Sequence, residues 1–429
     1  MNEKQIQSII ASHRAGAGRR LGKLSRYYLG KHDVLLAAPA VDSGGKDSAG
    51  KPDNRLVCNF CRNITDSTVG YFMGKPVTYS VSNGGRAFEK EIISICEYND
   101  DQYVCSALAK DLSVYGVACE LLWYDSDDQV RFAPLDPTQT IAVYGNTIDR
   151  ELTHAIRLYK DKYEVDGSGE LRDCTVYEVY DDSQVHEYRF DGEAMSHVES
   201  REHGFSQVPV NFYYNNADAV GDFEPVLSLV DAYNKLQSQS VNDFEVFADS
   251  YLAITGMGGT TSEDIEKLRR DRVLLLDDGG SAQWLVKQVN DVYVENLKDR
   301  IAKDIFRFSS SIDMTDDSFA GISPSGVSLR YRLLNFENRV AVCERYFKKS
   351  LQRRWELICE FLNKLGASYD WRDIRVTFTR NLPFNLSDTA DVLKSLDGVI
   401  SKRTMLEQLP FVERVDDEIT RIEEERSHG

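Results

Sequence analysis

VSLRYRLLNFENRVAVCERYFKKSLQRRWELICEFLNKL, residues 327–365, contains neither glycine nor proline. Within it Leu333, Phe336, Val340, Cys343, Phe347, Leu351, Trp355, Ile358, Leu362 and Leu365 follow one another by three or four residues, which is one face of a straight α-helix. At 1.5 Å per residue such a helix extends about 58 Å, more than the diameter of a compact domain. The helix is therefore expected to cross between domains or subunits, with neighbouring copies covering its apolar stripe. Gly366 ends it.

Two further helical patterns precede this one. Residues 222–249 carry Phe223, Val226, Val230, Tyr233, Leu236, Phe244 and Phe247 at roughly helical spacing. Pro225 falls in the first turn, where its missing N–H is harmless. Residues 291–310, opened by Asn290 as N-cap, turn Val294, Leu297, Ile301, Ile305 and Phe308 one way and interleave Lys298, Arg300, Lys303 and Arg307 with acids. Residues 250–290 between them read as a small α/β insert: strand 251–255, helix 263–272, strand 273–277, a turn at Asp277-Asp278-Gly279-Gly280, and strand 282–286. Two long helices flanking a small module describe a stalk with a head at its tip. SSSIDMTDDSFAGISPSG, residues 309–326, then joins the second helix to the longest one. Connections of this length are uncommon between helices, so the loop either is slack or hangs into a functional space.

Two glycine-rich stretches invite a nucleotide-binding reading. In GYFMGKPVTYS, residues 70–80, three residues separate Gly70 from Gly74, and Pro76 follows Lys75. A phosphate loop needs four residues there and a Ser or Thr after the Lys. Val57, Cys61, Ile64, Thr68 and Phe72 recur at helical spacing, so the stretch follows a helix and reads as its stop before a strand over Val77–Val81. In TGMGGTTS, residues 255–262, Gly256 and Gly258 begin a dinucleotide fingerprint, but Thr261 replaces the third glycine and with Asp264 makes a helix capping box. Cys58 and Cys61 have CxxC spacing without a second pair at zinc-ligand distance. Asp125, Asp127 and Asp128 lie between two strand patterns, where a turn explains them. No catalytic, cofactor-binding or metal-ligating set emerges.

Composition narrows the classes further. With 429 residues, 42% apolar and 28% charged, the chain is expected to fold into two or three globular domains. The polar start MNEKQIQSII carries no secretory pattern, and the apolar run Val34–Val41 is far short of a membrane span. Eight cysteines point to reduced thiols in a cytoplasm. The net charge of −18 argues against a surface built to grip DNA. Lys4, Arg14, Arg19, Arg20, Lys23, Arg26 and Lys31 oppose one acid, Glu3, in the first 32 residues, which form either a basic arm able to touch nucleic acid or a solvated terminal helix. Residues 37–54 read as a disordered loop.

NRLVCNFCRNITDSTVGYFMGKPVTYS (54–80), GDFEPVLSLVDAYNKLQSQSVNDFEVFADSYLAITG (221–256), RDRVLLLDDGG (270–280) and SGVSLRYRLLNFENRVAVCERYFKKSLQRRWELI (325–358) stand in this order along the chain. Together they resemble the portal proteins of tailed double-stranded DNA bacteriophages, of the type found in siphophages of Gram-positive hosts. The resemblance implies an α+β portal fold with long stem and wing helices, antiparallel β wing sheets and a small α/β clip module. Residues 1–221 would be the wing, with strands over 119–125, 130–135, 175–180 and 185–190. Residues 222–249 and 291–310 would be the stem, 250–290 the clip, 311–326 the tunnel loop, 327–384 the long wing helix and return strand, and 385–429 a short crown.

The same resemblance implies a homo-oligomeric ring of about twelve copies at one capsid vertex of the virion, assembled in the host cytoplasm. Double-stranded DNA would pass through it without sequence preference, driven by terminase. Head-completion and adaptor proteins, the major capsid protein and scaffolding protein would be the other partners, with no membrane, no cofactor and no enzyme activity. Ile312, Met314, Thr315, Asp316, Asp317, Phe319 and Ser323 would face DNA in the tunnel loop, Lys298, Arg300, Lys303 and Arg307 would be stem charges, and Glu266, Arg269, Arg270 and Arg272 would meet terminase or an adaptor, unless they are ordinary solvated charges. The acidic charge suits a conduit, since each Lys or Arg paired with a phosphate adds affinity. Another phage head-assembly or adaptor protein, and a nucleotide-binding enzyme, are the alternatives.

Overall fold

Helical and alternating patterns in the sequence sort into a mixed architecture of helices and strands, and every strand pair among the described residues is antiparallel. The computed structural model describes residues 1–37, 52–82, 85–164, 171–248, 251–255, 281–285, 291–313, 326–381, 394–395, 398–407, 409, 412 and 415–428. The chain divides into two compact units, Met1–Thr379 and Arg380–Gly429.

The first unit begins with α1 (Glu3–Ala15) and α2 (Ala17–Tyr28), then α3 (Phe60–Phe72), β1 (Thr78–Val81), α4 (Arg86–Tyr98) and α5 (Asp101–Tyr115). Strands β2 (Val117–Tyr124), β3 (Val130–Leu135), β4 (Thr140–Tyr144), β5 (Leu152–Glu164), β6 (Leu171–Tyr180), β7 (Gln184–Phe190), β8 (Met195–Glu202) and β9 (Val210–Tyr214) follow. Next come α6 (Leu227–Ala248), β10 (Tyr251–Thr255), β11 (Ser281–Leu285), α7 (Asp291–Phe308), α8 (Gly326–Lys364) and β12 (Ile374–Thr377). Sheet order is β3-β2-β9 and β4-β5-β6-β7-β8, with two-stranded pairs β1-β12 and β10-β11. In the second unit the described residues form α9 (Lys402–Glu407) and α10 (Val415–His428).

Alternation along β6 shows why its C-terminal half is buried on both faces. Tyr177 and Val179 pack with Ile156 and Leu158 against Ile6 and Ile10 of α1, whereas Tyr180, one step out of phase, joins Cys119, Val210 and Phe212. A box of hydrogen bonds between Asn2 and Gln5 caps α1. The N-terminal segment is thus part of the fold. Arg20 binds Glu224, while Lys23 and Arg26 bind Asp33.

The first glycine-rich stretch can be placed. α3 ends at Phe72, and the chain turns through Gly74-Lys75-Pro76 into β1, a helix-to-strand corner opposite in sense to a phosphate loop. Cys58 and Cys61 sit at the start of α3, and burial pushes the Cys61 thiol up to about 12. Among the described residues the cysteines form no disulfide. Asp125 accepts backbone hydrogen bonds from Asp127 and Gln129 in the β2–β3 turn. Residues 256–280 and 286–290, which include the second glycine stretch and the helix 263–272 and strand 273–277 expected from the sequence, lie outside the described residues.

α8 spans 39 residues, and its stripe behaves differently from the sequence expectation. Leu333, Phe336, Val340, Cys343, Phe347, Leu351, Trp355 and Ile358 are all buried within this one chain, against α3–α5, the β2-β3-β9 sheet and β12. No neighbouring copy is needed to cover them. Side-chain layers of the same unit flank the helix from Leu333 to Ile358, and each fully buried large residue contributes about 1.5–3 kcal/mol. The stripe runs out at Leu365, which is exposed.

Candidate functional site: the helix pair and its root

α6 and α7 pack on each other, and one end of the pair is set in a core. Phe223, Val226 and Val230 join Ile305 of α7, Leu24 and Tyr27 of α2, and Cys61 and Ile64 of α3. Phe60 meets Tyr233 and Phe306 edge-on. Toward the other end apolar burial fades: Phe244, Val292 and Tyr293 are exposed. β10 and β11 pair in register between the two helices, Tyr251 opposite Leu285 and Thr255 opposite Ser281.

Three side chains on one stripe of α6 hold the preceding chain along it. Asn234 accepts from the Cys58 amide, the Ser238 hydroxyl from the Leu56 amide, and Asn242 from the Asn54 amide. Their four-residue spacing was legible, but polar residues at that spacing look like a solvated face. Asn234 also donates to His32 Nδ1, so His32 Nε2 donates to the Tyr27 carbonyl. Burial lowers the His32 pKa against the pull of that carbonyl, keeping the ring neutral.

The root is a close backbone crossing. Gly116, at φ +77°, lies where a Cβ would come 2.1 Å from the Ala219 carbonyl oxygen, and a Cβ on Gly221 would come 2.5 Å from that of Val114. The Asn215 amide donates to Gly116 and the Asp222 amide to Ser113. Arg20 clamps the crossing, forking onto both Glu224 carboxylate oxygens at 2.6 Å and reaching the Ala219 carbonyl at 2.7 Å. A residue of the basic N-terminal run is therefore spent on holding α6.

Asp222 begins that root, with Arg339 of α8 beside it. Arg339 Nη1 lies 2.8 Å from Asp222 Oδ1, and Nη2 donates to the Thr68 hydroxyl at 2.8 Å. Asn215 donates to the same Oδ1. Arg339 Nε and Asp222 Oδ2 are buried without a hydrogen-bond partner among the described residues. A cavity of about 230 Å³ opens here, lined by Asn216, Pro225, Phe308, Ser309, Arg339 and Val342 among others.

The residues singled out in the sequence fall into different settings. Lys298 is buried, bound to Glu295 at 2.6 Å and to Gln237 at 3.2 Å, so it stabilises the helix pair instead of presenting charge. Arg300, Lys303 and Arg307 are exposed, at positions that share one face of α7 and without a salt bridge among the described residues. Phe308 departs from the expected apolar stripe and is 62% exposed. Ile312 packs at the edge of the α8 core. Met314, Thr315, Asp316, Asp317, Phe319 and Ser323, and likewise Glu266, Arg269, Arg270 and Arg272, lie outside the described residues.

A buried charge cluster escaped sequence reading. Arg354 of α8, fully buried, forks onto Glu120 of β2 at 2.7 and 3.0 Å and reaches Asp101 of α5 at 2.6 Å. Tyr213 and Asn211 donate to the same Glu120, and the guanidinium lies over the Phe132 ring. Burial alone would lower the Arg354 pKa; the facing Glu120 carboxylate and its neighbours outweigh that and hold it well above the usual value. The one available signal was Glu120 itself, an acid inside the apolar strand VACELLWY.

Comparison with known proteins matches this chain along nearly its whole length. Residues 8–428 fit the family of phage portal proteins described as SPP1 Gp6-like, and the chain belongs to that family. Among its relatives is the portal protein of Clostridium phage phiCD119, 25% identical over 438 residues, covering 97% of this chain and 94% of the relative. The portal protein of Bacillus phage SPP1 is 24% identical over 451 residues, covering 98% and 86%. The chain is thus a phage portal, the head–tail connector component of a virion capsid. Membership implies an oligomeric ring with capsid and terminase interactions in general. Among the described residues no helix is long and apolar enough to cross a membrane, and no group of His, Cys, Asp and Glu is arranged to hold a metal ion.

Proposed function

We propose that about twelve copies of this chain close into a ring around a channel that admits double-stranded DNA during packaging and releases it at infection. In this reading residues 1–221 with α8 form the wing, α6 and α7 the stem, 250–290 the clip that meets terminase and later the head-completion proteins, and 311–326 the tunnel loop. Residues 385–429 are the crown. The single observation that carries the proposal is the rooted helix pair flanking the paired strands β10 and β11, inside a chain that matches the portal family over residues 8–428.

The electrostatics favour a conduit over a clamp. Each chain carries −18 formal charges, and Arg20, Lys298, Arg339 and Arg354 are taken up by internal partners. Arg300, Lys303 and Arg307 remain as cations for transient contact with a passing backbone. The chain itself hydrolyses no ATP; terminase supplies the energy. End-on electron microscopy of the purified protein tests the ring: annuli with a central hole are expected, and a particle that stays monomeric at every concentration overturns it. Loss of an intrinsic ATPase upon Lys75→Ala would instead favour the enzyme alternative.

A further inference from the structure

The cavity at the root of the helix pair is incomplete in a single chain. Asp222 is buried yet its Oδ2 has no hydrogen-bond partner among the described residues, and Arg339 Nε shares that condition. Such orphaned groups cost about 1–3 kcal/mol each, a penalty expected to be relieved when something enters. At the mouth Phe308 and Val342 are exposed, and Leu334 and Tyr331 lie further along the same helix, also exposed. The site therefore asks for an occupant with apolar side chains and a polar or cationic group.

One element of the chain has that chemistry. The turn after α2 exposes Leu29, Leu35 and Leu36, the last at 68%. It also carries Lys31, exposed and with no ion-pair partner among the described residues. These leucines are not on a slack loop. His32, fully buried within the turn, stacks on Tyr27 at 4.5 Å and bonds to both the Tyr27 carbonyl and Asn234. A rigid apolar knob loses little entropy on docking. Knob and cavity share no residue, and a ring requires a heterologous contact between two different patches.

We infer that the Leu29–Leu36 turn of one copy docks in the Asp222–Arg339 cavity of the next, with Lys31 reaching the unpaired Asp222 oxygen. This rests on the ring reading and assigns its subunit contact. Two full-length variants, Leu36→Cys and Val342→Cys, are mixed under mild oxidation and run on a non-reducing gel. A cross-linked dimer is expected in the mixture, above the wild-type background, and not in either variant alone. In parallel, Leu36→Asp and Val342→Asp should each raise the concentration needed for annuli at least tenfold while circular dichroism of the monomer is unchanged. If wild-type annuli form but the mixture gives no cross-link, or each variant cross-links with itself, the assigned contact is wrong and the ring stands. If the wild type never forms annuli, the ring reading falls as well.

Discussion

Arg339 and Arg354 lie about four turns apart on the same helix, and each faces a buried aspartate, yet their surroundings are opposite. Around Arg354 both carboxylates are engaged, and Tyr213 and Asn211 complete the acceptors of Glu120. At Arg339, Asp222 keeps one oxygen without a hydrogen bond among the described residues, beside an open cavity. A closed ionic network fixes the register of α8 against α5 and β2 and asks nothing of a partner. An open one is tolerable in the single chain only at a cost, which makes it a place for assembly to act.

The difference can be tested first where the effect is largest. Arg354→Met strands Glu120 and Asp101 in the core and should destabilise the chain by about 3–5 kcal/mol, read from urea unfolding monitored at the tryptophans. A loss under 1 kcal/mol would mean the network is not closed as described. Arg339→Met should cost the monomer less, about 2 kcal/mol, but should weaken ring assembly more than Arg354→Lys does, by sedimentation. Equal effects on assembly would erase the contrast.

Asp111, on the same helix as Asp101, sharpens the rule that a buried carboxylate needs full partnering. Burial raises its pKa to about 7, with Lys110 opposing and Asp136 reinforcing the shift. The unfolded carboxyl loses its proton near pH 4 and the native one near pH 7, so folding takes up a proton between them. Stability from this group is complete below pH 4 and falls as pH rises through 7. Asp111→Asn should therefore raise stability at pH 8 by about 1–2 kcal/mol, after allowing for partial solvation, with little change at pH 4. A variant that gains nothing at pH 8 would refute the assignment. The smallest effect belongs to the exposed α7 cations: Lys303→Gln should shift stability by less than about 0.5 kcal/mol, with any consequence confined to salt-dependent DNA retention.

Much of the architecture was readable from spacing. The 39-residue helix, the corner after Phe72, the strands VRFAPL and VHEYRF and the two strands of the insert stand where periodicity puts them. These are local decisions, made by apolar repeat and by glycine and proline within a few residues. The site was less legible. Lys298 looked like its three neighbours in the charge pattern, yet only the fold makes it the one that is buried. Arg20 looked like part of a basic arm and proved to be the clamp of α6.

The amino-acid sequence by itself determined where the long helices, the corner after Phe72 and several strands run, the acidic balance of −18 and the kinship with portal proteins. Repeat spacing, formal charge and motif order are properties of a linear chain, so no folded context was needed to read them. Tertiary structure alone decided which side of a repeat is dry without a neighbour. Phe347 and Phe308 are alike as letters, but one is sealed by α3 and β9 and the other faces outward. It also decided which charges are spent inside and which await a partner, because burial and pairing join residues as distant as Asp101 and Arg354 that no local pattern connects.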